Sequence, residues 1–214
     1  MRSSPQPLRI ALIGMSGTGK SFWSFQLAAN NFVRFGCDDM IERHLSRQIF
    51  GHEKSFDMGQ WLGFPYDDGY HERERLYLAR EVEVLVDTLD VLHSRESFRN
   101  RPVVIDTTGS VIHTGRAMLE DLSRKTTVVH LETPPEVLKK MRTAYLRHPR
   151  PVLWADHFRR RQDETDQQAL ARCYEKLLIN RERQYRQYAH KTIGWQQRRN
   201  PCFTVDDLIS IARG

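Results

Sequence analysis

Long apolar runs, paired cysteines, internal repeats and low-complexity tracts are all missing from this 214-residue chain. No stretch approaches the roughly 20 apolar residues of a membrane-spanning helix, so no membrane association is expected. The three cysteines, Cys37, Cys173 and Cys202, stand far apart without a C-x-x-C pair. That excludes a disulfide framework and favours a reducing, cytoplasmic compartment. Met1 to Pro7 carry one arginine and no apolar stretch, so no secretory leader is expected. His113, His130, His148, His157 and His190 lack metal-ligand spacing. What remains is the composition of a globular protein, 39% hydrophobic and 28% charged, long enough for one domain over 1–214 with a sizeable core.

The charge is lopsided. Lys and Arg number 33 against 27 Asp and Glu, a net +6 concentrated in 142–161 and 172–199. A basic balance can serve nucleic acid or a phosphate-rich site. No aromatic-interleaved single-strand platform accompanies it, so nucleic acid remains a possible partner that is not favoured.

Residues 14–21, Gly-Met-Ser-Gly-Thr-Gly-Lys-Ser, complete G-x-x-x-x-G-K-[ST], the phosphate-binding loop of nucleoside triphosphate enzymes. A short apolar run at 8–13 precedes the motif and a helical segment follows it, as its mechanism requires. Gly14, Gly17 and Gly19 let backbone N–H groups, with those of Ser16 and Thr18, turn toward phosphate oxygens. The following helix directs its positive end at the same anion. Lys20 supplies a cation for the β- and γ-phosphates, and Ser21 a hydroxyl for Mg²⁺.

Strands are expected at 8–13, 32–35, 103–106, 127–131 and near 192–193. Helices are expected at 39–50, 71–93, 114–123, from Thr133 as cap, at 165–190, and from Thr204 as cap. Residues 51–70 hold four glycines, Pro65 and the aromatics Phe56, Trp61, Phe64 and Tyr66, the composition of a functional loop or lid. Strands alternating with helices give a parallel sheet covered on both faces.

In such a sheet ligands sit at the carboxyl ends of the strands. Asp38 and Asp39 follow the second strand there. A carboxylate at that place accepts a proton from an attacking hydroxyl or holds Mg²⁺ through water, and the competing reading is a helix cap. Asp106 ends Val103-Val104-Ile105, a Walker-B-like position beside a metal. Arg147, Arg150, Arg159, Arg160 and Arg161 form a cationic excursion from which one arginine closes on phosphates, with Arg150 the choice. Arg181, with Tyr185 and Ala189, lies on a charge-rich helix where spacing alone assigns no role.

The order of these pieces resembles the shikimate kinase family. Gly14–Ser21 is similar to its phosphate loop, Asp38-Asp39-Met40-Ile41-Glu42 with Ile49-Phe50 to its second-strand pattern, and Glu81–Leu85 to its third helix. Val104–Ile112 falls at its glycine triplet, Arg150-Pro151-Val152-Leu153 at its lid, and Arg181–Ala189 before its last strand. The resemblance implies that Asp38 contacts the acceptor hydroxyl, Arg150 closes on ATP, and Arg181 holds an acidic acceptor. Departures gather on the acceptor side. Gly36 replaces the family's first aspartate, Leu78 its acceptor-binding arginine, Thr108-Gly109-Ser110 its three glycines, and 51–70 is an added acceptor-side insertion. Asp106 takes over the metal from the missing aspartate.

The expectation is therefore a three-layer α/β P-loop kinase fold with five parallel strands, helices on both faces and a lid at 147–162. Its expected work is ATP- and Mg²⁺-dependent phosphoryl transfer to a hydroxyl of a small molecule other than shikimate. Lys20, Asp38 and Arg150 are catalytic; Thr108, Gly109, Asp38 and Arg181 bind the acceptor; Ser21 and Asp106 hold Mg²⁺. Three alternatives stand beside it: a true shikimate kinase with a carboxylate site rebuilt from Arg73, Arg75 or Arg80, a kinase of nucleotides or nucleic acid, and a non-enzymatic nucleotide-binding protein. The chain is expected as monomer or homodimer.

Overall fold

The computed structural model describes residues 7–214; the reading of the first seven residues as leaderless falls almost wholly outside that range. Five strands, β1 Arg9–Ile13, β2 Val33–Gly36, β3 Val103–Asp106, β4 Thr127–Leu131 and β5 Lys191–Ile193, form one sheet. They are all parallel, in the order β2-β3-β1-β4-β5. β1, flanked by β3 and β4, is apolar throughout its buried part, as a strand covered on both faces must be.

Alternate residues of each strand serve opposite cores. Ile10, Leu12, Val104 and Val129 face Trp23 and Leu27 of α1 (Lys20–Ala29) and Leu208 of the last helix (Val205–Arg213). Ala11, Ile13, Val103, Ile105 and Val128 face the opposite cluster. That cluster is filled by α2 (Cys37–Phe50), α4 (Tyr70–Ser94), α6 (Arg116–Lys125) and α8 (Asp166–Tyr188). The period-2 burial of the strands thus builds three layers. The expected fold class is observed.

The chain leaves β1 toward β2 on one side and reaches β4 on the other. The crevice at the carboxyl ends therefore opens beside β1, where the phosphate loop lies.

Several expected boundaries change. The region 51–70 holds a short helix, α3 (Met58–Leu62), capped by Asp57, whose side chain accepts from Gln60 N. Two more short helices, α5 (Glu96–Arg99) and α9 (Trp195–Arg199), were not anticipated. Thr133 does not cap α7 (Pro135–Arg147): the preceding residue is Pro134, and Thr133 Oγ1 is buried without a hydrogen-bond partner. Pro135 in the first turn already starts that helix without a side-chain cap. Thr204 does cap α10 (Val205–Arg213), with Asp207 returning a carboxylate oxygen to Thr204 N. No helix among the described residues is long and apolar enough to cross a membrane.

Candidate active site

The phosphate loop is held open by its own backbone. Gly14 has φ 146°, and a Cβ there would stand 2.8 Å from Leu131 O, so no other residue fits between β1 and β4. Thr18 Oγ1 donates to Met15 O at 2.8 Å, closing the turn from inside. Lys20 Nζ, buried, reaches back over the loop to Gly14 O (2.9 Å) and Met15 O (3.0 Å). Burial lowers its pKa, against the pull of Asp38 and Asp106. Its cation is therefore aimed at the space that the loop's N–H groups enclose.

Asp38 and Asp39 lie inside the first turn of α2, which starts at Cys37 after Gly36, so neither is the residue that caps it. The capping alternative is thereby corrected. Asp38 is exposed on the cavity side, and the partial desolvation by the cavity walls raises its pKa, with Lys20 pulling the other way. Tyr77, from α4, stands 3.5 Å from Asp38 Oδ1.

Asp106 is buried and ion-paired to Arg34 Nη2 at 2.8 Å, its Oδ2 also lying 2.9 Å from Ser24 Oγ. Arg34 also meets Asp39 Oδ2 at 3.1 Å and lies over the Phe25 ring, 4.1 Å from its centroid. A Cβ on Gly36 would come within 2.6 Å of both Arg34 Nη1 and Asp39 Oδ2. The bare Cα of Gly36 thus leaves the space in which Arg34 reaches Asp106. Toward Mg²⁺ the donors offered here, the Ser21 hydroxyl and carboxylates of Asp38 and Asp106, are the hard oxygens it takes, and they fit it. Asp106 spends Oδ2 on its protein partners.

The phosphate loop and Asp38 line one cavity of about 470 Å³, while Asp106 lies buried outside its lining. The phosphate side is formed by Ser16, Gly17, Gly19, Lys20, Ser21 and Phe22. The far side is formed by Asp38, Tyr77, Thr108, Gly109, Ser110 and Arg181, together with Met58, Gly59 and Leu62 of the insertion and Pro151, Val152 and Leu153 of the lid. The sequence singled out Ser16, Gly17, Gly19, Lys20, Ser21, Asp38, Thr108, Gly109 and Arg181 from this set. It missed Tyr77 and Ser110, and Glu81 behind them. Tyr77 reads as an ordinary apolar position on a helix stripe; Ser110 stands in the triplet position itself and could have been taken with Thr108 and Gly109.

Arg150 is exposed and stops one residue short of the cavity lining. Among its rivals, Arg160 is paired with Asp166 at 3.1 Å. Arg181 is buried; its Nη2 donates to Leu153 O at 2.6 Å, while Nε has no hydrogen-bond partner. Among the described residues no carboxylate forms an ion pair with it. The arginines suggested for a rebuilt carboxylate site lie elsewhere. Arg73 donates to Leu62 O and Asp68 O, Arg80 to Gln48 and Glu83, and Arg75 lines a separate surface hollow. Leu78 packs against the core.

The lid is latched. Glu74 Oε1 accepts from Tyr70 Oη (2.7 Å), Trp154 N (2.7 Å) and Ala155 N (2.8 Å). Tyr66 of the insertion stacks on Phe64 and meets Phe158 of the lid. Residues of 51–70 and of 147–162 therefore pack together along one side of the cavity.

A family model described as an AAA domain matches residues 10–145, more than half of the chain, and the protein belongs to that family. Its fold is that of solved shikimate kinases. One from Acinetobacter baumannii, in complex with shikimate, is 23% identical with TM-score 0.54, covering 87% of this chain and 83% of its own. The enzyme from Bacteroides thetaiotaomicron is 17% identical with TM-score 0.56, covering 97% and 99%. That from Aquifex aeolicus is 18% identical with TM-score 0.55, covering 97% of both chains. No curated protein matches the sequence. The protein thus belongs to the AAA-domain family and shares its fold with these shikimate kinases.

Proposed function

We propose that this protein transfers the γ-phosphoryl group of ATP to a hydroxyl of a small anionic molecule, and that shikimate is not its physiological acceptor. The observation that carries the reading is the joining of the phosphate loop, Asp38 and the unpaired Arg181 in one cavity of about 470 Å³. That volume suits a small ligand rather than a nucleic-acid strand. A buried guanidinium without a carboxylate partner is costly unless an anion joins it, which favours an acceptor bearing a carboxylate or phosphate.

In this reading the loop 14–21 cradles the phosphates and Lys20 moves from Gly14 O and Met15 O onto the β- and γ-oxygens. Ser21 and Asp106 would hold Mg²⁺, which neutralises phosphate charge when bound. Asp38 orients the acceptor hydroxyl and takes its proton; partial desolvation at the cavity wall keeps its basicity above that of a free carboxylate. Arg150 swings in from the lid onto ATP, and the wall of insertion and lid excludes water.

The test is a coupled assay of ADP release against polyols, sugars, hydroxy acids, nucleosides and shikimate. The expected result is Mg²⁺-dependent ADP release driven by a hydroxyl compound and absent in Lys20→Ala. Tight nucleotide binding with no acceptor-dependent turnover across the panel would overturn it in favour of a non-enzymatic nucleotide-binding protein.

A further inference from the structure

Behind the acceptor side of the cavity, Glu81 is fully buried on α4. Its Oε1 contacts Thr108 Oγ1, its Oε2 lies 2.9 Å from Ser110 Oγ, and the two hydroxyl oxygens lie 2.9 Å from each other. These three oxygen–oxygen contacts close a ring. Thr108 and Ser110 are themselves only 1% and 5% exposed at the cavity wall, and Glu81 behind them is shut off from solvent.

A hydrogen count decides its state. Three contacts between oxygens need three hydrogens, and the two hydroxyls bring two. Ser110 N already donates to Thr108 Oγ1 at 3.0 Å, which takes one of that oxygen's lone pairs. With an ionised Glu81, both hydroxyls turn to the carboxylate and the Thr108–Ser110 contact is left with facing lone pairs. With a neutral Glu81, its own proton goes to Thr108 Oγ1, Thr108 donates to Ser110 Oγ, and Ser110 donates to Glu81 Oε2. Every contact is then a hydrogen bond.

We infer that Glu81 is a positioning residue that rests as a neutral carboxylic acid, closing a hydrogen-bond ring that holds Thr108 and Ser110 against the cavity. The surrounding groups agree. Burial is the largest cause raising the Glu81 pKa, to about 7; Asp38 on α2 raises it further, and Arg181 on α8 with the two hydroxyls lowers it. Lys20 on α1, Cys37 on α2, Tyr77 on α4 itself and Tyr185 on α8 are the other titratable groups that feel its charge. Tyr185 Oη donates to Gly109 O on the other side of the same loop, and a Cβ on Gly109 would lie 3.2 Å from Ser16 N. The ring thus fixes a loop that touches both the phosphate loop and the acceptor space. A neutral Glu81 also spares Asp38 a second negative charge, which keeps Asp38 able to ionise.

The inference rests on the proposed function only in calling this the acceptor side. Its test needs no acceptor, so the two fail separately. Ligand-free protein carrying ¹³C-labelled glutamate carboxyls is titrated by NMR, with Glu81→Gln assigning the signal. The expected result is one carboxyl that titrates near pH 7 and vanishes in Glu81→Gln. The Thr108 methyl signal should move with the same midpoint, and Ser110→Ala should shift that midpoint. A raised folded-state pKa contributes stability below the unfolded glutamate value, lost as pH rises through the folded one. The thermal midpoint of Glu81→Gln, whose amide donates and accepts in the same ring, should therefore gain on wild type by several degrees between pH 5 and pH 8. Should that variant not fold, the Ser110→Ala shift makes the assignment alone. A Glu81 carboxyl already ionised at pH 5, or a Thr108 methyl blind to its titration, overturns the inference.

Discussion

Lys20 is buried, bonded to two carbonyls of its own loop, and packed among charges rather than among core side chains. Removing it takes away a cation that the transition state needs more than the fold does. Lys20→Ala should lose phosphoryl transfer by about 10² or more, the usual worth of such a contact, with the thermal midpoint nearly unchanged. Turnover and melting are to be measured on the same preparation; activity above about a tenth of wild type contradicts the role. Asp38 differs in kind. In the proposed role it acts on the acceptor, so Asp38→Asn should depress kcat far more than ATP affinity. The desolvated carboxyl must be ionised to accept a proton. Activity should therefore rise with pH through a limb above the ordinary carboxylate range, and the Asn variant should lack that limb. A collapse of ATP affinity with normal residual turnover would make Asp38 a metal or nucleotide ligand instead.

Among the elements, the tie between α4 and the lid has the clearest consequence. One oxygen of Glu74 satisfies the backbone N–H groups of Trp154 and Ala155. Glu74→Ala strands the Ala155 amide, at about 1–3 kcal/mol for an unsatisfied group, and leaves Trp154 N only its 3.1 Å bond to Tyr70 Oη. The variant should melt several degrees lower, and hydrogen exchange at those two amides should accelerate while the β1 amides stay protected. Equal acceleration everywhere would mean a global effect and no latch. The helices themselves were legible where period and cap agree, as at Thr204 with Asp207. At Thr133 the residue type invited a cap that Pro134 and Pro135 make unnecessary. The start of α2 at Cys37 escaped because a glycine before Cys-Asp-Asp reads as turn, whereas packing of Cys37 and Ile41 into the core draws the helix two residues earlier.

At the scale of the molecule, the arginines besides Arg181 that could hold an acidic acceptor lie away from the cavity. Leu78 faces the core, Arg73 and Arg80 are occupied elsewhere, and Arg75 lies outside the cavity. Arg181 is then the one arginine that lines the cavity among the described residues. Loss of one charged bidentate contact should cost about 2–3 kcal/mol, roughly 30–150-fold in affinity. Shikimate should consequently release ADP slowly or not at all at millimolar concentration with Mg²⁺–ATP. Rapid saturable turnover would show that Arg181 with another group rebuilds a carboxylate site. Arg181→Ala should raise the KM of whichever acidic acceptor the assay identifies, and leave the KM of ATP alone.

The order of strands and helices, the phosphate loop and the aspartates at strand ends were determined by the sequence, because each depends on neighbours a few residues apart. Period-2 and period-3.6 patterning, glycine backbone freedom and the Lys-Ser pair are all local properties. Only the tertiary structure decided which distant groups meet. Arg34 reaches Asp106 across 72 positions because Gly36 leaves the space. Glu81 joins Thr108 across 27, and Arg181 meets Leu153 across 28. Such partners are chosen by packing and by the need of buried charges and hydroxyls to satisfy one another, and no local pattern in the chain records that choice.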